Sequence, residues 1–180
     1  MADAPAIQFA VRPAQGSDVE ALLDLLEAVA AEGRWIGAEA PVDREMAREW
    51  MRVGLSGDET AQRFVAEAAG EVVGQVKIEL ARYGVADLSM WVAEAWRRRG
   101  VGTALVRTAL DWAAPSGAHK VALQVWPHNH AALALYRKFG FVEEGLLRRH
   151  YPRRSGELWD VVVMGLVLDH ARPGSPHDVS

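Results

Sequence analysis

A chain of 180 residues, of which 50% are hydrophobic and 24% charged, is long enough to form one domain with a sizeable buried core. No apolar run approaches the ~18 residues of a membrane-spanning helix, and the first residues lack the basic and apolar segments of a signal peptide. The absence of Cys excludes disulfides, a cysteine nucleophile and thiolate metal sites, and it fits a cytoplasmic protein. The formal net charge of -4 argues against nucleic acid as a partner.

The first third of the chain predicts one short strand followed by two helices. Residues 7–11 alternate between apolar and polar and indicate an edge strand, and Ser17 or Asp18 then caps a helix. The apolar face of this helix is formed by Val19, Leu22, Leu23, Leu26 and Val29. A second helix follows Pro41, and its apolar face is formed by Met46, Trp50 and Val53.

The rest of the chain is rich in strand patterns. Residues 63–68 and Glu71–Leu80 flank Ala69-Gly70, which is a hairpin signal, and Val85–Val92 forms the next strand. The remaining predicted elements are a helix over 101–114, a strand over Lys120–Val125, a helix over 130–139, a strand from Phe141 and a last strand over 158–168. This order predicts a mixed α/β sheet with helices on its faces. We expect a single domain over residues 1–168 and a disordered tail over 169–180.

A basic, glycine-containing loop separates the strand that ends at Val92 from the helix that begins near Val101. Its sequence at positions 96–103 is Trp-Arg-Arg-Arg-Gly-Val-Gly-Thr. A helix N-terminus presents free N–H groups to an anion, glycines allow close approach of the backbone, and arginines donate to phosphate oxygens. The loop therefore predicts a diphosphate site, although a basic helix start with a tight turn is the simpler alternative. It lacks the Gly-Lys-Ser/Thr of a Walker loop. It also lacks the dinucleotide-binding fingerprint, because Leu105 stands at the third glycine position.

A second motif begins at Asn129, which is a good helix N-cap after a strand. Tyr136 lies seven residues later, so both polar groups face the same way along the helix, and Gly140 ends it. Each residue alone has a structural explanation, as a cap and as a core tyrosine. His128 and His130 flank the cap without a nearby carboxylate or third His, so we predict no metal site.

Two motifs together resemble those of the GNAT superfamily of acyl-CoA N-acyltransferases. They are Arg97-x-x-Gly100-x-Gly102, and Asn129 followed by Leu135-Tyr136-x-x-Phe139-Gly140-Phe141. The resemblance covers about residues 7–168. The resemblance implies a mostly antiparallel central sheet with helices on both faces and a splayed pair of parallel strands. It also implies acetyl-CoA as the donor of an acetyl group to an amine. The residues that it assigns to the cofactor are Met90, Trp91 and Val92 along the pantetheine arm, Arg97, Arg98, Arg99, Gly100, Val101, Gly102 and Thr103 at the pyrophosphate, and Asn129 and Tyr136, the latter facing the thioester sulfur.

The expected chemistry is direct attack of a neutral amine on the thioester. An alkyl amine has a pKa near ~10.4, so a base within hydrogen-bond reach must take its proton. Glu79 and Asp87 are the candidate bases, although each alone could be an ordinary solvated carboxylate. Proton transfer from a phenol with pKa ~10 to a thiolate of ~8.5 is uphill by roughly 2 kcal/mol. Tyr136 is therefore expected mainly to hydrogen-bond the departing thiolate.

The acceptor pocket is expected on loops, and the candidate residues are Trp35, Ile36, Trp126, His150 and Tyr151. Residues 18–59 hold 11 Asp or Glu and 4 Arg, which would suit a cationic amine. The arginines at positions 148, 149, 153 and 154 would instead suit an acceptor carboxylate. An acyl-CoA-binding sensor or interaction module without turnover is the alternative function. A homodimer is plausible if the last strand lies at an edge of the sheet.

Overall fold

The computed structural model describes residues 8–55 and 59–168, so Ile7 and the predicted tail over 169–180 lie outside the described residues. The strands are β1 (Ala10–Pro13), β2 (Ala61–Ala68), β3 (Glu71–Leu80), β4 (Val85–Val92), β5 (Lys120–Val125), β6 (Val142–Pro152) and β7 (Leu158–Val167). The helices are α1 (Val19–Ala31), α2 (Arg44–Arg52), α3 (Val101–Ala113) and α4 (His130–Lys138). The predicted elements are thus present, with bounds that differ by a few residues at most.

The strands form one seven-stranded sheet in the order β1-β2-β3-β4-β5-β7-β6. Every neighbouring pair is antiparallel except β4 and β5, which confirms the mostly antiparallel mixed sheet. Ala69 and Gly70 have positive φ angles of 51° and 82° and form the tight β2–β3 hairpin that the sequence indicates. The expectation that the last strand lies at an edge is wrong. β7 pairs on both sides, and the edges of the sheet are β1 and β6.

The parallel pair β4–β5 opens partway along its length. β4 pairs with β5 only at Val85, Ala86 and Asp87, whereas β5 stays paired with β7 from Lys120 to Val125. The remaining residues of β4, from Leu88 to Val92, therefore pair with β3 alone. This is the predicted splay, and it leaves backbone groups of β4 facing an opening in the sheet.

Alternation along β4 divides the core between the two faces of the sheet. Leu88, Met90 and Val92 face the cluster that packs against α3, whose Val101 and Leu105 are fully buried. Trp91 faces the opposite side and joins the core beneath α1. The five apolar residues predicted for α1 are all buried on that side. The polar residues Asp87 and Ser89 share the face of Trp91, so they lie on the α1 and α2 side of the splay.

The apolar face predicted for α2 does not pack into the core. Met46 is 72% exposed and Trp50 39% exposed, and Met51 is the buried anchor of the helix instead. Met51 joins the core cluster under α1, and Ala47 packs against that cluster. Met46 and Trp50 are thereby left beside the opening between β4 and β5.

Candidate active site

The splay opens into a cavity of about 1390 Å³ that reaches from α3 and α4 to the α1–α2 loop. Most of the predicted site residues line it, namely Trp35, Ile36, Glu79, Asp87, Met90, Trp91, Val92, Arg97, Arg98, Gly100, Gly102, Thr103, Trp126, Asn129, Tyr136 and Tyr151. Arg99, Val101 and His150 do not line it. The topology thus brings two motifs about thirty residues apart, and loops from both ends of the chain, to one site.

The basic loop narrows to the first turn of α3 at one end of the cavity. Gly100 precedes the helix with a φ of 88°, a conformation that favours glycine, and Arg98 also has a positive φ of 62°. A Cβ at Gly102 would come within 3.1 Å of Leu135, so glycine there allows α3 to pack closely on α4. The first amides of α3 have no intrahelical acceptor by helix geometry. Open amides beside glycine form a cradle that fits a pyrophosphate.

The three arginines of this loop have different surroundings. The Arg97 guanidinium donates to both Glu32 carboxylate oxygens at 2.7 and 2.5 Å, and its Nε donates to the Val92 carbonyl at 3.0 Å. Arg99 lies 5.4 Å from the Trp96 ring centre, away from the cavity. Arg97 and Arg98 both line the cavity. Of the two, Arg98 makes no ion pair or hydrogen bond with the described residues. The Arg97 side chain is therefore not a free donor for phosphate, because it is already paired with Glu32.

The Arg97–Glu32 pair joins the basic loop to the segment that follows α1. Glu32 also accepts a hydrogen bond from the Trp35 indole N–H at 2.6 Å. Hydrogen bonds from the Arg97 guanidinium and the Trp35 indole outweigh the opposing effect of burial and lower the pKa of Glu32. Glu32 thus links Arg97 to Trp35, whose ring centre lies 5.6 Å from the Arg97 guanidinium.

The two candidate bases lie opposite each other on neighbouring strands. Glu79 of β3 is in register with Asp87 of β4, at the last residue pair before the splay. Glu79 accepts from the Lys77 ammonium at 2.5 Å. Asp87 makes no ion pair or hydrogen bond with the described residues. Burial raises the pKa of Asp87, nearby Lys77 opposes this, and the Glu79 charge adds to it.

The second motif forms the opposite wall of the cavity. Asn129 caps α4 by accepting from the Ala132 amide at 3.2 Å, as the sequence predicts. Tyr136 is buried against Phe141, with ring centres 5.6 Å apart, while lining the cavity. Burial raises the pKa of Tyr136, so its phenol stays protonated at neutral pH.

Aromatic side chains close the end of the cavity away from the basic loop. Trp126 is almost completely buried and meets Tyr151 edge to face, with ring centres 5.0 Å apart. The Tyr151 hydroxyl donates to Gln124 of β5 at 2.7 Å, which fixes the ring at this wall. His150 contacts the Tyr151 ring from outside, 5.0 Å between centres. The placement of His150 at the acceptor stays a prediction without support from a cavity contact.

Most of the charges that suggested an acceptor class are already paired. On the acidic side, Arg44 bridges Glu20, Asp24 and Glu27, so α2 is bound to α1 by an ion-pair network. On the basic side, Arg153 donates to the Gly37 carbonyl at 3.0 Å and Arg154 to the Ala40 and Pro41 carbonyls. These arginines hold the α1–α2 loop. Both Nη groups of Arg154 donate to loop carbonyls, and Arg153, whose Nε and Nη2 have no hydrogen-bond partner within the described residues, does not line the cavity. Neither composition argument therefore identifies the acceptor.

The cavity residues that the sequence did not assign to the site include Trp50, Lys77 and Ser89. Strand alternation carries a signal for two of them, because Lys77 shares a face with Glu79, and Ser89 shares one with Asp87 and Trp91. Trp50 carries no such signal, since its helical spacing indicates core. Within residues 8–55 and 59–168, no group of three His, Asp or Glu could hold a metal ion. No helix of that part of the chain is long and apolar enough to cross a membrane.

One cavity is surrounded by a splayed parallel strand pair, the open N-terminus of one helix and a second, capped helix that carries a tyrosine. This combination defines the site of an acyl-CoA-dependent transferase. Comparison with known proteins agrees, because residues 22–141 match the model of the acetyltransferase (GNAT) family. The chain belongs to this family, and it is an N-acetyltransferase with acetyl-CoA as its cosubstrate.

Individual relatives resemble the chain over much of its length. An L-amino acid N-acetyltransferase of Escherichia coli is 32% identical over 59% of this chain and 68% of its own length. An L-methionine sulfoximine/L-methionine sulfone acetyltransferase of Pseudomonas aeruginosa is 25% identical over 90% of this chain and 96% of its own length. The crystal structure of a GNAT-family acetyltransferase from Streptococcus pneumoniae aligns with a TM-score of 0.79 and 25% identity, covering 89% of this chain and 100% of that one.

Proposed function

We propose that this enzyme acetylates the primary amine of a small molecule by direct transfer from acetyl-CoA, with Asp87 as the general base. The observation that carries the assignment is an unpaired carboxylate in the cavity, at the residue where β4 and β5 separate. Glu79 occupies the neighbouring position but is paired with Lys77. It acts on Asp87 through its charge, which supports a raised pKa of the base.

The residues around the splay fit acetyl-CoA, whose thioester supplies the activated acetyl group. The first amides of α3 and the Arg98 guanidinium would hold the pyrophosphate. The backbone groups of Met90 and the Val92 amide face the opening, where they would pair with the pantetheine arm, whereas the Trp91 backbone pairs with β3. Arg97 keeps this arrangement rigid, because it bridges the end of β4 and Glu32. Its role is positioning rather than contact with phosphate.

The amine arrives as an ammonium ion and must lose a proton before it attacks. Asp87 takes that proton, directly or through one water, and the neutral nitrogen then forms a bond to the acetyl carbon. The nitrogen loses its second proton and the carbon–sulfur bond breaks as the amide forms, and the sulfur leaves as a thiolate that takes up one proton. The net reaction releases one proton for each ammonium acetylated.

Tyr136 stabilises the leaving group through a hydrogen bond from its phenol. Burial raises its pKa, so complete proton transfer to a thiolate is even less favourable than the reference values suggest. The phenol therefore acts as a neutral donor, and the thiolate takes its proton from solvent or from the acid form of Asp87. Asn129 supports Tyr136 indirectly, because it caps the helix that carries the phenol.

The relatives support a small acceptor with an amino-acid-like amine. The Escherichia coli relative acts on L-amino acids by its name, and the Pseudomonas aeruginosa relative on two derivatives of L-methionine. In this chain, Trp35 and Ile36 on one side and Trp126 and Tyr151 on the other form an apolar wall for the acceptor side chain. An apolar wall of this kind suits a small molecule with an apolar side chain.

A thiol-release assay tests the proposed function. The purified protein is incubated with acetyl-CoA and a panel of L-amino acids, amino-acid amides and simple alkylamines, and free thiol is followed with a colorimetric disulfide. Because the chain contains no Cys, the protein adds no thiol of its own. We expect acceptor-dependent thiol release with at least one amine and formation of its N-acetyl product. Tight acetyl-CoA binding without turnover of any amine would contradict the proposal and favour a sensor.

Three broader expectations stay proposals. We keep the cytoplasm as the compartment and small molecules, rather than nucleic acid, as the partners. A homodimer also stays a proposal, but its pairing surface moves from the last strand to β6. That strand forms an edge of the sheet and exposes Val142, Leu146 and Leu147.

A further inference from the structure

Three cavity-lining residues beside Asp87 form a group of hydrogen-bond donors, which we call the donor patch: Lys77, Ser89 and Trp91. Lys77 of β3 is in register with Ser89 of β4, and all three share one face of the sheet. The Trp91 side chain is 7% exposed, yet its indole N–H has no hydrogen-bond partner among the described residues. The Ser89 hydroxyl is likewise buried and unpartnered. Buried donors of this kind lose their hydration and need an acceptor atom.

The charge behind the donor patch is also positive. Arg63 is fully buried on the same face, where it donates to Gln75 at 2.6 Å and to the Trp50 carbonyl at 3.3 Å. It has no carboxylate partner among the described residues. Burial lowers its pKa to about 10, so it still carries its charge at neutral pH. Lys77 is paired with Glu79, so Arg63 is the cation beneath the patch that has no ion-pair partner within the described residues. A buried cation without a counterion favours an anion nearby.

Trp50 lies between the donor patch and solvent. Its ring stacks on Trp91 at 5.7 Å between centres, and the Arg63 and Lys77 cations lie 5.2 and 5.5 Å from that ring. The exposed part of Trp50 lines the cavity. A ligand in the cavity therefore meets the Trp50 ring beside the donor patch.

The spacing between the base and the donor patch suits a particular acceptor. Asp87 and Ser89 are two residues apart on β4, which places them about 6.6 Å apart along the strand. An α-amino acid carries its amine and its carboxylate on one carbon, and each group would add a hydrogen bond of about 2.8 Å at its end. A molecule of this size spans the two positions.

We propose that the donor patch binds the carboxylate of the acceptor, so that a free α-amino acid is held with its amine at Asp87. The inference rests on the proposed function and deepens it, because it assigns Lys77, Ser89 and Trp91 as the residues that select for the carboxylate. The Lys77 ammonium, which also pairs with Glu79, supplies the opposite charge, and the two neutral donors fix the carboxylate orientation. The arginines at 153 and 154, which hold the α1–α2 loop, take no part.

The test compares free L-amino acids with their primary amides, which keep the amine and side chain but lack the negative charge. We expect kcat/KM for the best amino acid to exceed that for its amide at least tenfold. Lys77→Met keeps the length of the side chain and removes its charge. This variant should raise KM for the amino acid tenfold or more, leave kcat within about threefold, and leave KM for the amide within about twofold. Ser89→Ala should act in the same direction with a smaller change.

Lys120→Met is the matched control, because Lys120 pairs with Glu144 on the far side of β5 and does not line the cavity. It should leave both acceptors unchanged. Equal use of acids and amides, or equal KM changes for both in Lys77→Met, would overturn the donor patch while the acetyltransferase proposal stands. Turnover of alkylamines without any amino acid would do the same. Absence of turnover with every amine would overturn both.

Discussion

Replacing Asp87 by Asn is expected to lower kcat/KM for the amine about 100- to 10,000-fold, the usual contribution of a general base. Asn keeps the size and polarity of the side chain but cannot accept the amine proton. The affinity for acetyl-CoA should change little, because Asp87 lies on the face of β4 opposite Met90 and Val92. Steady-state kinetics with both substrates varied, together with calorimetric binding of acetyl-CoA, separate these two effects.

The pH profile gives this prediction a second readout. The base works as a carboxylate, so kcat/KM should rise with pH through a pKa above the ordinary ~3.9 of aspartate. The groups that face it are Lys77 and Glu79 from β3, and burial raises the pKa of Asp87 against the effect of Lys77. For an acid whose pKa is raised by folding, stability is complete at low pH and falls as pH rises through the folded pKa. Asp87→Asn should therefore equal or exceed the wild type in stability at neutral pH, despite its lost activity.

Glu79→Gln is the matched control for Asp87→Asn, because the two carboxylates are opposite each other on the strand pair. Removal of the Glu79 charge also frees Lys77, and both changes favour the ionised form of Asp87. The acidic limb of the kcat/KM profile should therefore move to lower pH, with a smaller loss of activity. A larger loss in Glu79→Gln than in Asp87→Asn would identify Glu79 as the base instead.

Tyr136→Phe is expected to lower kcat about 10- to 100-fold, which corresponds to the ~1.5–3 kcal/mol of a hydrogen bond to a charged group. The phenol meets a negative charge only when the thiolate leaves, so the loss should appear in kcat. The KM and affinity for acetyl-CoA should stay within about twofold, since the ring and its packing on Phe141 are kept. Stopped-flow measurement of thiol release in a single turnover locates the effect in the chemical step.

Tyr151→Phe serves as the comparison for Tyr136→Phe. It removes a phenol from the same cavity but breaks a hydrogen bond to Gln124 at the acceptor wall. Its effect should fall on KM for the amine rather than on single-turnover thiol release. A turnover number in Tyr136→Phe equal to that of the wild type would remove Tyr136 from the mechanism.

Local patterns predicted the parts of the site that lie on single elements. The bounds of β4 and β5 agree with the sequence pattern because alternation and short apolar runs are set by near neighbours. The two motifs of the cofactor region were likewise recognisable, since each combines a glycine or a cap with a fixed helical spacing. Asn129 caps α4 and Gly140 ends it in a left-handed conformation, as those residue types predict.

The parts that were not predicted depend on contacts between distant segments. Arg97 and Glu32 are 65 residues apart, so no local pattern shows that the first arginine of the loop is paired. The same is true of Arg153, which donates to a carbonyl 116 residues away. The face of α2 was misjudged because helical spacing reveals an apolar stripe but not what covers it. β7 was misplaced because its final position depends on β6 folding back outside it.

A calorimetric titration of acetyl-CoA into the wild type, Arg98→Ala and Arg99→Ala tests the central claim most directly. Both arginines belong to the same loop, but only Arg98 lines the cavity, whereas Arg99 lies over Trp96. Loss of a charged hydrogen bond to phosphate costs about 1.5–3 kcal/mol, so Arg98→Ala should weaken binding about tenfold or more. Arg99→Ala should bind within about twofold of the wild type. Absence of acetyl-CoA binding to the wild type, or equal weakening in both variants, would contradict the assignment of this loop and of the cavity that it closes.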